Sequence, residues 1–480
     1  MIRHALLFLL PICAWPACVA TAAYNGQRTG ATLTETVLTT SNVSSLIKLG
    51  SWAVDDQIFG QPLVCNGFVY VATAGGTIYK FSASSPGSAA IWSVSAGTPS
   101  SIFDHTGFAG HQGCTASPAI DEGLSVIYAT CLDNSAGWRL YALNLSDGSH
   151  VSGSPVTLNG LQHQGRTFAS ASIQTRTAHL ITGGYVYVGW NGYDDFSGWV
   201  TRCNQATLAC TAYSTGTTSG GSAGVWMGNG GPSVDGNGKV YVTTANGDWN
   251  GTTQLGQSLI RFSGLTVDDF FTPSNFATIN ASDSDFGSGP AVIFGDHVLV
   301  ATKDGLFWRF STASLGGLQG SGGAEEQTFD FGDSFQFNRI AVANNNMYAG
   351  GNPDRYAWNG TTFATSPTAS GSGGCKINSY SSNADGSGTK ILWCLSNSGT
   401  QSLSAGRLVA FNADSMATLW SSNTVGGDAL GNWGKWAQPV VEGGRVYVAT
   451  FSNTVVVYGL PTTGSAMGGK ITLGGKVVLR

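Results

Sequence analysis

The stretch that decides the fold runs Gln61-Pro62-Leu63-Val64, Asn66-Gly67, Val69-Tyr70-Val71-Ala72-Thr73, Gly75-Gly76, Ile78-Tyr79-Lys80-Phe81 and Ile91-Trp92-Ser93-Val94. Four short runs rich in β-branched and aromatic residues are separated by Gly and Asn turn signals, the pattern of four antiparallel strands. Pro62 leads into the first run, where a missing N–H costs least. The runs are apolar on both faces, so such a sheet needs cover from two sides.

The same unit returns near the other end as Gln438-Pro439-Val440-Val441, Gly443-Gly444, Val446-Tyr447-Val448-Ala449-Thr450 and Val455-Val456-Val457-Tyr458. Between them, Ser117-Pro118-Ala119-Ile120, Gly231-Pro232-Ser233-Val234 and Gly289-Pro290-Ala291-Val292 open further copies. Weaker ones without the Pro centre on Tyr185-Val186-Tyr187-Val188, Met347-Tyr348-Ala349 and Ile391-Leu392-Trp393-Cys394. That makes eight units, at the spacing of propeller blades. A blade cannot bury both faces alone, so the units must stack into a ring. The sequence therefore predicts an all-β protein, an eight-bladed β-propeller of four-stranded antiparallel blades.

Closure of the ring is legible too. Leu49-Gly50-Ser51-Trp52-Ala53-Val54 resembles the outer strands around Trp92 and Trp420, yet it precedes the first complete unit, and the last unit lacks such a strand. Residues 46–54 are expected to supply the outer strand of the final blade, which leaves no open edge.

Composition agrees. Gly is 68 of 480 residues and charged residues are only 10%, which suits short strands and many turns rather than long helices. Net charge is −5 with no basic run, which argues against nucleic acid as a partner. Arg3, the apolar stretch Ala5–Cys13 and Ala20-Thr21-Ala22 read as an export signal with a small-x-small cleavage site. The expected organisation is a signal peptide over 1–22, one propeller over 23–460 and a tail over 461–480, in a secreted or periplasmic monomer with no transmembrane segment. Lipid attachment at Cys18 fits its flanking residues poorly. The tail carries the tandem Gly469-Lys470-Ile471-Thr472-Leu473 and Gly475-Lys476-Val477-Val478-Leu479, read as a short extended or disordered end.

With Cys13 and Cys18 assigned to the signal, seven cysteines remain. In an oxidising compartment these should mostly pair. The candidates are Cys114 with Cys131, Cys203 with Cys210, and Cys375 with Cys394, which leaves Cys65 as a buried thiol.

The units resemble the repeats of pyrroloquinoline-quinone-type propellers, the superfamily of quinoprotein alcohol dehydrogenases, and most of all its secreted bacterial quinoprotein-like repeat proteins. The stretches that carry the resemblance are Asn25-Gly26-Gln27-Arg28-Thr29-Gly30-Ala31 with Glu35, Asp56–Pro62, Val225–Pro232 and Asp283–Pro290. The resemblance covers about residues 24–460 and implies the scaffold. Catalytic members carry an adjacent Cys-Cys disulfide over the quinone and a Ca²⁺ held by Glu, Asn and Asp. This sequence has no Cys-Cys pair and no C-x-x-C-H haem motif.

Loops that lead into the first strand of each blade line one end of the central channel. Trp226, Asn229, Asp285, Lys435, Trp436 and Gln438 belong to them and are the candidate ligand-binding residues. An indole beside polar groups suits a planar or sugar-like ligand; the same indoles also serve to fill gaps between blades. Asp283 and Asp285 form a candidate oxygen-ligand pair for Ca²⁺, and Asp104, His105 and His111 a weaker metal candidate. Asp194-Asp195 and Asp235-Gly236-Asn237-Gly238 read as turns, and Asn42, Asn144, Asn250, Asn280 and Asn359 stand in glycosylation-type triplets. The reading that follows is a non-catalytic exported propeller that binds a protein or glycan at the loop-rich end of its channel, without cofactor. The alternatives are a PQQ- and Ca²⁺-dependent dehydrogenase of alcohols or sugars with a divergent site, and an envelope-assembly scaffold.

Overall fold

The structure, a computed structural model, describes residues 18–101, 110–193, 196–218, 221–319, 325–332, 340–397, 403–424 and 426–461. Among the described residues, eight mainly antiparallel sheets follow one another as blades. Within those residues, pairing is parallel only where Ala31–Thr32 and Gly317–Gln319 add to two of the sheets, and a small hairpin of Gln162–His163 with Arg166–Thr167 stands apart. The first blade is Leu63–Cys65, Phe68–Ala72, Thr77–Ser82 and Trp92–Ser95, paired in that order. The inner strands of the next six begin at Ala119, Leu180, Ser233, Val292, Ala341 and Ile377, and that of the eighth at Val440. One α-helix is present among the described residues, Phe276–Ala281.

The apolar residues explain why the sheets stack. Each core cluster joins two consecutive blades: Leu63, Tyr70 and Ile78 of blade 1 pack with Ile127, Tyr141 and Leu143 of blade 2. At the other end of the series, Val440, Tyr447 and Val457 of blade 8 pack with Val64, Val71 and Phe81 of blade 1. The ring is therefore closed by side chains. It is also closed by backbone, because Ile47–Ala53 pairs antiparallel with Thr454–Gly459, as the outer strand of blade 8. That is the strand which the sequence places there.

The segment ahead of this strand, for which the sequence offers no structural task, lines the channel. Residues 19–30 run round the inside of the channel and bond to all eight blades. Val19 N–H donates to Val64 of blade 1, and the Ala20 carbonyl accepts from Ile120 of blade 2. Thr21 Oγ1 donates to the His179 carbonyl at the start of blade 3. The carbonyls of Gly26, Gln27, Thr29 and Gly30 accept from Val234, Ile293, Val342 and Tyr380 of blades 4 to 7. Tyr24 OH accepts from Val441 N–H of blade 8. The inner strand of every blade has an unpaired edge facing the axis, and these contacts satisfy it. Arg28, 1% exposed, is the hub: Nε donates to Pro232, Nη1 to Thr21 and Ala22, and Nη2 to His179. Ala23, Tyr24 and Arg28 hold positive φ, the bends that turn the segment round the axis.

Four disulfides form among the described residues. Cys114–Cys131, Cys203–Cys210 and Cys375–Cys394 are the pairs that the spacing offered. The fourth corrects the sequence reading: Cys65 is bonded to Cys18 and is no free thiol. Cys18 lies only 18 residues from the start, within the stretch that reads as a leader, so spacing alone gives Cys65 no partner. The tandem at 469–479 lies outside the described residues. No helix among the described residues is long and apolar enough to cross a membrane.

Candidate functional site

The mouth of the channel, on the side of the loops leading into the inner strands, gathers cations around indoles. Thr175 and Thr177 both direct their hydroxyls to the Gly189 carbonyl at 2.8 Å, which fixes the segment leading into blade 3 on both sides of Arg176. Its guanidinium lies 4.1 Å from the Trp226 ring centre and 4.4 Å from that of Trp436. Residues leading into blades 3, 4 and 8 thus meet at one point. Each contact is a cation–π pair of a buried guanidinium, worth about 1–2 kcal/mol.

The loop bearing Trp226 is held by Val225 N–H on the Trp190 carbonyl. Behind it, Gly231 has φ +73° and approaches Ala178 so closely that a Cβ would lie 2.1 Å from the Ala178 oxygen. Glycine is required there. Trp436 is buried, stacked on Phe59 at 5.5 Å and beside Phe451, so it both fills the gap between blades 8 and 1 and faces Arg176. Lys435 Nζ lies 5.1 Å from the same indole. Burial lowers the Lys435 pKa to about 8, and the charges of Arg176, Lys376 and Lys303 press it the same way. Arg176 and Lys435 therefore share the Trp436 ring, with Lys376 and the carboxylate-paired Lys303 near enough to act on Lys435. This local excess of positive charge favours an anion.

Of the sequence candidates, Trp226, Lys435 and Trp436 come together at this point. Gln438 does not point there; it is buried and donates through Nε2 to the Asn378 carbonyl, beside the channel-lining segment. The backbone of Asn229 lies in a short 3-10 turn, Met227–Asn229, and its side chain lies outside the described residues. Asp283 and Asp285 flank Lys303 Nζ at 2.8 and 3.2 Å. An ammonium group already stands where the pair would hold a divalent ion, which disfavours Ca²⁺ there. Burial raises the Asp285 pKa, with Asp283 adding and Lys303 opposing. His111 bonds through Nδ1 to Asp56 Oδ2 at 2.7 Å, while Asp104 and His105 lie outside the described residues. The one close group of metal-type donors among the described residues, Cys18, Cys65 and Glu122, has both sulfurs committed to a disulfide.

Arg176, Lys303 and Lys376 were not singled out from sequence. The signal for Arg176 was available: a cation in an otherwise neutral Gln-Thr-Arg-Thr alternation, directly before an inner strand, in a chain that is 10% charged.

The fit to a quinone cofactor can be judged on this geometry. The Arg176 guanidinium lies over both the Trp226 and the Trp436 ring, and no disulfide among the described residues joins adjacent cysteines. A flat tricyclic group that stacked on those covered ring faces would need Arg176 to withdraw.

Searches against protein-family models and against curated protein sequences return no match. Solved structures do match in shape. The quinohemoprotein alcohol dehydrogenase from Comamonas testosteroni superposes with TM-score 0.66 at 14% identity, over 94% of this chain and 82% of that one. BamB from Moraxella catarrhalis gives TM-score 0.53 at 14% identity, over 87% and 98%. The computationally designed Ika8 gives 0.53 at 11% identity, over 86% and 99%. At such identities the likeness is one of fold: the eight-bladed propeller of this chain superposes on an alcohol dehydrogenase, on BamB and on a designed protein.

Proposed function

We propose that this chain is a non-catalytic binding propeller, exported from the cytoplasm, whose channel mouth takes an anionic ligand, a carboxylated glycan being the class that suits it best. The observation that carries this is Arg176 lying over both Trp226 and Trp436, with Lys435 beside Trp436. Lys and Arg supply the counter-charge for a carboxylate, through charge-assisted hydrogen bonds. The indole of Trp226, which is half-buried, offers an edge or face to a sugar ring. The disulfides support an oxidising compartment.

Titration calorimetry with oligogalacturonate, and with neutral dextran as control, tests the reading. Binding of the acidic glycan with little or none of the neutral one is expected; equal affinity for both, or none for either, would sink it. The second reading, a PQQ-dependent dehydrogenase, is favoured by the superposition on the alcohol dehydrogenase and opposed by Arg176 covering the Trp226 and Trp436 rings. Alcohol- or sugar-dependent dye reduction after adding PQQ and Ca²⁺ would establish it.

A further inference from the structure

We infer that Cys18 belongs to the folded, working protein as one half of a disulfide that pins the channel-lining segment, so that removal of a leader stops on the N-terminal side of Cys18 and its sulfur carries no lipid. The sequence offered two other fates for this residue: loss by cleavage after Ala22, or lipid attachment.

Cys18 Sγ is bonded to Cys65 Sγ, on the inner strand of blade 1. The residues that follow are built into the ring at once, Val19 on Val64 and Ala20 on Ile120. Ala22 has no exposed surface, and its carbonyl, like the Thr21 hydroxyl, accepts from Nη1 of the buried Arg28. Cleavage after Ala22 would remove the contacts to blades 1 and 2. It would also take two acceptors from a guanidinium that is 1% exposed, and a buried charge short of acceptors is strongly unfavourable. Cys65 would be left as a thiol in the core.

Lipid attachment fails on a separate ground. A thioether to a diacylglyceryl group and a disulfide to Cys65 require the same sulfur atom, so each excludes the other. The disulfide itself needs only an exchange catalyst of the dithiol–disulfide class. A thiolate of one cysteine attacks the donor disulfide, the second displaces the donor, and two thiols of this chain become one disulfide while the donor leaves as a dithiol.

The test uses the full-length precursor, expressed with its own N-terminus in a bacterium that forms disulfides in the periplasm. Peptide mapping without reduction should recover a linked peptide containing Cys18 and Cys65, without added lipid mass. Cys18→Ser, Cys65→Ser and the double variant should each lower Tm by the same amount, about 4 °C for a loop of this length in a chain of this size. The losses coincide because all three break one bond. A mature N-terminus at Ala23, a diacylglyceryl adduct on Cys18, both cysteines recovered as free thiols, or additive Tm losses would each overturn the inference. If a serine variant fails to accumulate, mapping of the unsubstituted protein decides alone.

Discussion

The indole of Trp52 lies 6.4 Å from the ring of Tyr447, with the two planes 8° apart. Trp52 belongs to the N-terminal strand and Tyr447 to blade 8, so the two ends of the propeller share one aromatic layer. On its other side Trp52 stacks on Phe81 of blade 1 at 5.6 Å, and its Nε1–H donates to the Ser85 carbonyl. One side chain therefore bridges the first blade, the last blade and the strand that joins them.

Trp52→Ala should accordingly cost about 3–5 kcal/mol, the range for emptying a fully buried aromatic site. Urea denaturation followed by circular dichroism reads this as a lower midpoint, with Trp52→Phe recovering part of the loss. A chain that begins after Val54 loses the whole strand and the collar before it, and should no longer melt in one cooperative transition. Retention of the full-length melting temperature would reject the clasp.

Much of this was legible in the sequence, for a definite reason. Repeats such as Gln61–Thr73 and Gln438–Thr450 write the blade directly, because strand periodicity and turn chemistry are local. The closing strand was legible by subtraction, one outer strand too many at the start and one too few at the end. The collar was not. Asn25–Ala31 has no strand alternation, since its backbone carbonyls bond to the edges of four successive blades and it bends at positive φ. Nothing local marks that task; Arg28 in a weakly charged chain was the trace it left. The same holds for the channel mouth, where Arg176, Trp226 and Trp436 are far apart in sequence and meet only through the ring.

Glu442 supplies a pH test of the collar's surroundings. Burial, with a smaller push from the Glu35 carboxylate, raises its pKa to about 8 from an ordinary 4.5. Glu35 accepts from Val37, Leu38 and Gly444, so it secures the chain just after the collar. A folded pKa above the unfolded one means that the contribution to stability is complete below about pH 4.5 and is lost as pH rises to about 8. Glu442→Gln stays neutral throughout. Its Tm should fall less than that of the unsubstituted protein between pH 5 and 9; parallel curves would contradict the assignment.

Lys435 makes the proposed binding pH-dependent in the opposite sense from a simple carboxylate titration. Its pKa of about 8 in the free protein rises once an anion is bound beside it. Affinity should be flat below about pH 8 and fall above it, by up to tenfold per pH unit until the bound-state pKa is reached. Calorimetry at pH 7, 8, 9 and 10 measures the slope. Lys435→Arg should bind with a flat profile over that range, and a slope unchanged by this substitution would place the titrating group elsewhere.

The most direct test of the account is reversal of the charge at its centre. Arg176 lies over two indoles, one of which it shares with Lys435, and the mouth is held to be a site for anions because of it. Arg176→Glu and the neutral Arg176→Gln should be compared by calorimetry with oligogalacturonate, alongside melting temperatures to confirm that the ring survives. The account predicts a loss of about ten- to a hundredfold for the neutral variant, the value of one charge-assisted hydrogen bond, and a still larger loss for the reversed charge. Undiminished binding by a folded Arg176→Glu protein would contradict it.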